Sequence, residues 1–310
     1  MVWNGRAGAP LIRDLVEFWR YRELLWLLVA RDLKVRYRNS ILGFLWSFLN
    51  PLSQIAVFWF VFKFVMEHTE PNYTVKLFVA FLPWIFFLQS VTDGAACIAT
   101  DAGLVRKTYF PRQILPLSVL LANLIHFLLG LSVLLALLAF LRVHFTVQFF
   151  YILPLLLIQL VLSYGIMLMV SSLSVFYSDV RFLLGTGLQL WFFVTPVLYP
   201  VALVLKKGVL PGGVASLSHF LPLVKQLYLA NPMAPIVLGY KSAMLYAGVN
   251  PIYQSILESE SPPPLALAAQ ISGQYPYLHY LMLSAAIAVF TYIVGRAIFT
   301  RLEWQFPELA

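Results

Sequence analysis

Six apolar segments, at about 41–65, 75–97, 114–141, 149–175, 182–204 and 278–299, decide what this chain can fold into. A bilayer core of about 30 Å takes roughly 20 mostly apolar residues in a helix. Backbone polar groups find no water in that core, so segments of this length cross it as helices. The expectation is an all-α polytopic membrane protein with six transmembrane helices. Composition agrees, because 61% of the 310 residues are hydrophobic and 11% are charged, against about 25% charged in soluble proteins. The apolar stretch Leu24–Ala30, held between Glu23 and Arg31, is too short to cross and extends a surface helix instead.

That surface helix is written upstream. Leu11, Leu15, Phe18, Trp19, Leu25, Val29 and Leu33 recur at helical spacing, with Asp14, Glu17, Arg20 and Arg22 mostly on other faces. Such a helix lies along the cytoplasmic membrane surface or packs on a protein partner, and the two placements are compatible. No apolar core or small-residue cleavage site precedes the first segment, so the N-terminus is expected to stay inside.

The formal charge of +8 follows the membrane rather than a nucleic acid. With both termini inside, fourteen of the 21 Lys and Arg residues fall on the cytoplasmic side: eight before Ile41, then Arg106, Lys107, Arg112, Arg181, Arg296 and Arg301. The first outer loop, MEHTEPNY, has acids and no Lys or Arg. Cys97 is the only cysteine, which excludes an intrachain disulfide and a cysteine cluster for zinc.

Polar residues inside the spans carry the functional signal, since in hydrocarbon they face protein or water. Ser47, Asn50, Gln54 and Phe58 follow steps of three, four and four along one face of the first span. Beyond them the outer half turns aromatic, with Trp59, Phe60, Phe62 and Phe64. The fifth span repeats the theme: Thr186, Gln189 and Phe193 share a face, while Trp191, Phe192, Thr195, Pro196 and Tyr199 crowd its outer end. Gln89, Thr92 and Asp93 stand near the inner end of the second. Two polar-to-aromatic faces suit a conduit for something hydroxyl-rich, because aromatic rings offer large contact areas to sugar C–H faces. The same residue types also serve helix–helix hydrogen bonding and interfacial belts. The candidate path residues are Ser47, Asn50, Gln54, Phe58, Trp59, Phe62, Gln189, Trp191, Phe193 and Tyr199.

Catalysis has no foothold. There is no GxxxxGK[ST] loop, no GxGxxG after a strand, no HExxH and no GxSxG. His68, His126, His144, His219 and His279 are scattered without ligand spacing. His126, three residues after Asn123, suits hydrogen bonding between helices. Asp93, close to the inner end of its span, can reach the interface. No catalytic residue, metal site or cofactor site is expected in this chain, and energy for any transport would come from another chain.

Four stretches carry a resemblance. ARDLKVRYRNSILGFLWSFLNPL (30–52), DAGLVRKTYFPRQILPLS (101–118), VFYSDVRFLLGTGLQLWFFVTPVLYP (175–200) and ANPMAPIVLGYKSAMLYAG (230–248) stand in order and at similar spacing. Together they resemble the membrane subunits of ABC-type polysaccharide and polyol-phosphate exporters, which move O-antigen, capsule or teichoic-acid chains. The resemblance implies a homodimer of six-span subunits in a bacterial cytoplasmic (inner) membrane, in contact with membrane lipid and docked to two copies of an ABC ATPase. ATP and Mg would be held by that partner, and the cargo would be a lipid-linked polysaccharide of O-antigen or capsule type. A coupling element would lie within 98–113. There Arg106, Lys107 and Arg112 can pair with acidic groups, Tyr109 and Phe110 can anchor in a groove, and Pro111 fixes the turn. Alternatives are an ABC exporter of lipids or drugs and, from another class, a membrane-embedded enzyme of envelope synthesis.

The expected organisation is a cytoplasmic region over 1–40 with the amphipathic interface helix, and the first five spans over 41–204. An extracytoplasmic loop with re-entrant helices before the last span follows over 205–277, and the last span and cytoplasmic tail occupy 278–310. In that long loop KKGVLPGG and ESESPPP read as irregular, while Val214–Ala230 and Met233–Tyr246 are apolar but short or interrupted. The turn YSDVRF suggests a local ion pair between Asp179 and Arg181.

Overall fold

The computed structural model of the chain describes residues 16–36, 40, 42–65, 73–141, 147–199, 226, 228, 230–245 and 277–306. Leu11 and Leu15 of the surface helix, most of the first outer loop and most of 205–277 lie outside these residues, including KKGVLPGG and ESESPPP. Among the described residues every regular element is helical. The helices are α1 (Arg22–Arg36), α2 (Trp46–Trp59), α3 (Tyr73–Thr100), α4 (Ala102–Lys107), α5 (Ile114–Phe140), α6 (Ile152–Phe176), α7 (Asp179–Val194), α8 (Met233–Leu245) and α9 (Tyr277–Leu302).

Among the described residues four helical stretches are long and apolar enough to cross a membrane: Thr74–Thr100, Ile114–Phe140, Phe149–Phe176 and Tyr277–Gln305. They match the second, third, fourth and sixth expected spans to within a few residues. The other two are built differently. In the first, a 3-10 turn (Gly43–Leu45), the 14-residue α2 and a π-helical turn (Phe60–Val65) follow one another without a break. Pro51 sits inside α2 and has no N–H to give the preceding turn. The fifth is the 16-residue α7, which ends where Thr195 becomes extended ahead of Pro196.

The tightest crossing is between α6 and α9, where Gly165 and Gly295 face each other. A methyl added at Gly165 would sit 2.5 Å from the Tyr292 backbone nitrogen, and one at Gly295 would strike the Gly165 carbonyl. Helices in lipid gain little from the hydrophobic effect, so close backbone approach and interhelical hydrogen bonds hold them together. The second contribution is visible between α6 and α3. Gln159 Nε2 donates to the Pro83 carbonyl at 2.7 Å, and Ser174 Oγ donates to the Ala95 carbonyl. Gly94 gives Met167 of α6 its room, and Gly130 of α5 accepts Leu82 of α3.

The 13-residue α8 is too short to cross and is almost wholly buried. Its carbonyl at Pro235 accepts the Tyr277 hydroxyl of α9 at 3.1 Å. The surface helix packs on α5 with Leu28 and Val29 buried and Phe18, Tyr21, Leu24 and Leu25 partly so, while Trp19 and Trp26 stay exposed. It is thus docked on the bundle along one side and open along the other. One expectation about charge differs: no ion pair joins Asp179 to Arg181, and both side chains are exposed. Residues two apart on a helix point to different faces, and Asp179 opens α7, where the helix dipole already favours an acid.

Candidate functional site

At the cation-rich end of the bundle, two ion pairs bind α1 to α3 and its continuation. Arg31 lays both terminal nitrogens on Asp101, Nη1 to Oδ1 and Nη2 to Oδ2, each at 2.7 Å, and also reaches Asp32 Oδ1 at 2.8 Å. A two-pronged guanidinium–carboxylate contact fixes orientation as well as distance. The Asp101 carboxylate raises the guanidinium pKa further above its already high ordinary value, against the opposing effect of burial. Asp101 stands at the N-cap of α4 without making the side-chain cap usual for an aspartate there, because Arg31 holds its oxygens. Arg36, one turn further along α1, bonds Asp93 of α3 at 2.7 Å.

The segment 98–113 leaves α3 through this clamp. Arg106 and Lys107 close α4 and are exposed, and the Thr108 hydroxyl donates to the Leu104 carbonyl at 2.6 Å. Tyr109 is 99% exposed, whereas Phe110 is 9% exposed and packs into the chain's own core. Pro111 is half-buried and its carbonyl accepts the Ile114 amide at 3.0 Å, turning the chain into α5. Arg112 lies over the Phe306 ring, 5.9 Å from its centre. Of the two aromatic residues, Tyr109 is the one presented outward, flanked by Arg106 and Lys107.

The first-span polar face lines a cavity of about 450 Å³ between α2, α3 and α5. Ser47, Asn50, Pro51 and Gln54 form one wall and Gln89, Asn123 and His126 supply polar groups from the other two helices. Leu82, Ile85, Phe86, Phe127 and Gly130 make an apolar floor, and Arg36, Ser40 and Trp46 stand at the end nearest α1. Asn123 Nδ2 donates to Asp93 Oδ2 at 3.0 Å, so Asp93 joins α1, α3 and α5. His126 Nδ1 lies 3.5 Å from Ser47 Oγ, linking α5 to α2. Hydrogen bonding between helices is the role expected of His126, and it makes such a contact.

Further out, aromatic rings run from α2 to α7 across α3. Phe58 meets Phe81 edge-on at 4.9 Å, Phe81 reaches Phe192 at 6.3 Å, and Trp84 lies 5.5 Å from Phe192. Phe87 meets Trp191 edge-on at 5.2 Å. The α3 members Phe81, Trp84 and Phe87 are absent from the expected path residues, because they lie in the uniformly apolar run Leu77–Leu88 of the second segment. Their spacing of three and three along one helix was the signal available in the sequence. Trp59 and Phe193 are more than half exposed, and Phe62 is half-buried within the π-helical turn.

The break after α7 is pinned to the start of α8. Asn231 Oδ1 accepts from Trp191 Nε1 at 2.7 Å and from the Met233 amide at 3.1 Å, and its Nδ2 donates to Thr195 Oγ1 at 3.0 Å. Lys241 Nζ donates to the Pro196 carbonyl at 3.2 Å, and the Tyr199 hydroxyl to the Phe193 carbonyl at 2.7 Å. On α7 itself Thr186, Gln189 and Phe193 are exposed, and Leu188 is the buried residue. Among the described residues the two expected polar faces therefore do not meet within one chain. That of α2 looks into the chain's own cavity, and that of α7 looks away from the bundle.

The family model described as ABC-2 type transporter matches residues 23–211. The O-antigen export system permease protein RfbA of Myxococcus xanthus is 40% identical over 193 residues, 62% of this chain and 74% of that protein. Two proteins of the same description from Klebsiella pneumoniae are each 28% identical over 288 residues, 93% of this chain and 95% of theirs.

Proposed function

Because the chain belongs to the ABC-2 type transporter family, a family of transport permeases rather than enzymes, we propose that it is the channel-forming membrane subunit of an ATP-driven exporter. Its cargo is a lipid-linked polysaccharide of O-antigen or capsule type, carried across the bacterial cytoplasmic membrane. The observation that carries the cargo class is the likeness to O-antigen permeases along 93% of the chain. In this reading two copies form a homodimer, and each docks one ABC ATPase that holds the ATP and Mg. The run 43–65 and α7 with the residues after it complete a plan of six spans, with α8 re-entrant before the last and both termini cytoplasmic.

Coupling in this reading starts at Tyr109, which seats in a groove of the ATPase while Arg106 and Lys107 pair with acidic groups there. Phe110, Pro111 and Arg112 support the turn from within. Closure of the ATPase pair moves α4. The Arg31–Asp101 contact passes that displacement to α1, and the chain from α1 continues within a few residues into α2. The aromatic band across Phe58, Phe81 and Phe192 supplies stacking surface along the path. Its neutral, broad faces suit successive sugar rings of any identity.

The testing experiment is co-purification with the neighbouring ABC ATPase and measurement of ATP hydrolysis in proteoliposomes. The expected result is a stable complex whose hydrolysis rises with a polyprenyl-linked glycan. Stimulation by phospholipid or amphipathic drugs, and none by the glycan, would favour the lipid or drug exporter.

A further inference from the structure

We propose that the cavity between α2, α3 and α5 is a sugar-binding subsite belonging to each single copy, distinct from the path between copies. This deepens the polysaccharide reading and rests on it. At about 450 Å³ the cavity falls within the roughly 300–1,000 Å³ of small-molecule sites, enough for a monosaccharide or disaccharide. Its two sides differ in the way a pyranose does. Asn50, Gln54 and Gln89 present carboxamides, each of which both donates and accepts, as vicinal hydroxyls require. Trp46 and Ile85, which keep accessible apolar surface, offer a face for ring C–H groups.

Two observations point to a neutral hydroxylated ligand rather than a phosphate or an acyl chain. Among the described lining residues the cation is Arg36, already bonded to Asp93 at 2.7 Å, so the pair brings no net charge for a pyrophosphate. Asn123, 1% exposed and part of the wall, spends Nδ2 on Asp93 while its Oδ1 has no hydrogen-bond partner. A buried acceptor left in that condition is costly. A hydroxyl donor from a ligand meets the need and an acyl chain does not. The position beside α1 places the subsite at the cytoplasmic end of the chain, where it would register the first sugars of a cargo before passage.

The test uses the complex with its ATPase in proteoliposomes, carrying Ser40→Cys at the cavity mouth and Cys97→Ala to remove the native thiol. The labelling rate with a maleimide is followed with farnesyl pyrophosphate and with a farnesyl-pyrophosphoryl N-acetylhexosamine. The expected result is at least about fivefold protection by the glycosylated probe alone, lost on adding Gln89→Ala, an exposed site whose change leaves the fold intact. Equal protection by the bare pyrophosphate would assign the cavity to a headgroup, and protection by neither would remove the subsite. ATP-driven transfer of a polyprenyl-linked glycan, measured in the same proteoliposomes, judges the export reading separately. Transfer without protection overturns the subsite alone, and absence of transfer counts against export.

Discussion

The helices α2 and α7 share a pattern, polar residues along one inner face and aromatic residues at the outer end, yet they use it in opposite ways. On α2 the face Ser47–Asn50–Gln54 is met by residues of the same chain across a cavity. On α7 the side chains of Thr186, Gln189 and Phe193 are exposed. Similar sequence therefore lines a cavity in one place and an exposed surface in the other. In the homodimer proposed above, that surface meets the second copy or the cargo.

The contrast that bears most directly on the two helices comes from one substitution made in two places. Gly165→Val drives side-chain atoms into the α9 backbone at Tyr292, and such overpacking costs about 1–3 kcal/mol or more. The expected outcome is loss of the monodisperse, correctly inserted protein in size-exclusion chromatography. Gly187→Val on α7 meets open space within one copy, so melting of the solubilised protomer should change by less than about 0.5 kcal/mol. The dimer fraction should fall. Equal destabilisation by both would show that α7 is packed within the protomer after all.

A smaller effect probes how the α2 side is driven. Arg31→Ala leaves Asp101 without its bidentate partner, and a cycle of Arg31→Ala with Asp101→Ala should show a coupling of about 0.5–3 kcal/mol in thermal unfolding. The exchange Arg31→Asp with Asp101→Arg should restore part of the stability and part of the ATPase coupling. Additive behaviour, with no coupling energy, would remove the clamp from the mechanism.

Next stands the pair Tyr109 and Phe110. Phe110→Ala opens a core site and should cost about 3–5 kcal/mol if the site does not collapse, and less if it does. Tyr109→Ala, at a fully exposed position, should leave the melting temperature nearly unchanged while lowering glycan-stimulated ATP hydrolysis several-fold. If Tyr109→Ala is silent in that assay, the coupling residue lies elsewhere in 98–113. A modest stability change is expected at Trp191→Phe, which keeps the ring contact with Phe87 and removes the bond to Asn231. A loss of about 0.5–1.5 kcal/mol is expected in thermal unfolding.

Hydropathy alone placed α3, α5, α6 and α9 to within a few residues, because long apolar helices obey a single requirement of the bilayer. Helical spacing likewise grouped Ser47, Asn50 and Gln54 on one face. What it did not reveal was where that face turns, since the answer depends on Gln89, Asn123 and His126 in two other helices. The Arg31–Asp101 clamp joins residues far apart in the chain, and the Gly165–Gly295 crossing rests on two glycines that look unremarkable among the 16 present. Phe110 and Tyr109 are neighbours of similar type, and only the turn at Pro111 decides which of them points inward. The expected ion pair of Asp179 with Arg181 failed for a local reason, the helical geometry that sets neighbours two apart on different faces.

The most direct measurement follows the cargo in cells of the source bacterium from which this chain has been removed and then restored. The account predicts that removal strips the long glycan from the cell surface while its polyprenyl-linked form accumulates at the inner face of the cytoplasmic membrane. Restoring the chain reverses both effects, and restoring it with Tyr109→Ala reverses them only in part. Normal surface glycan in its absence, with no lipid-linked glycan retained inside, would contradict the account.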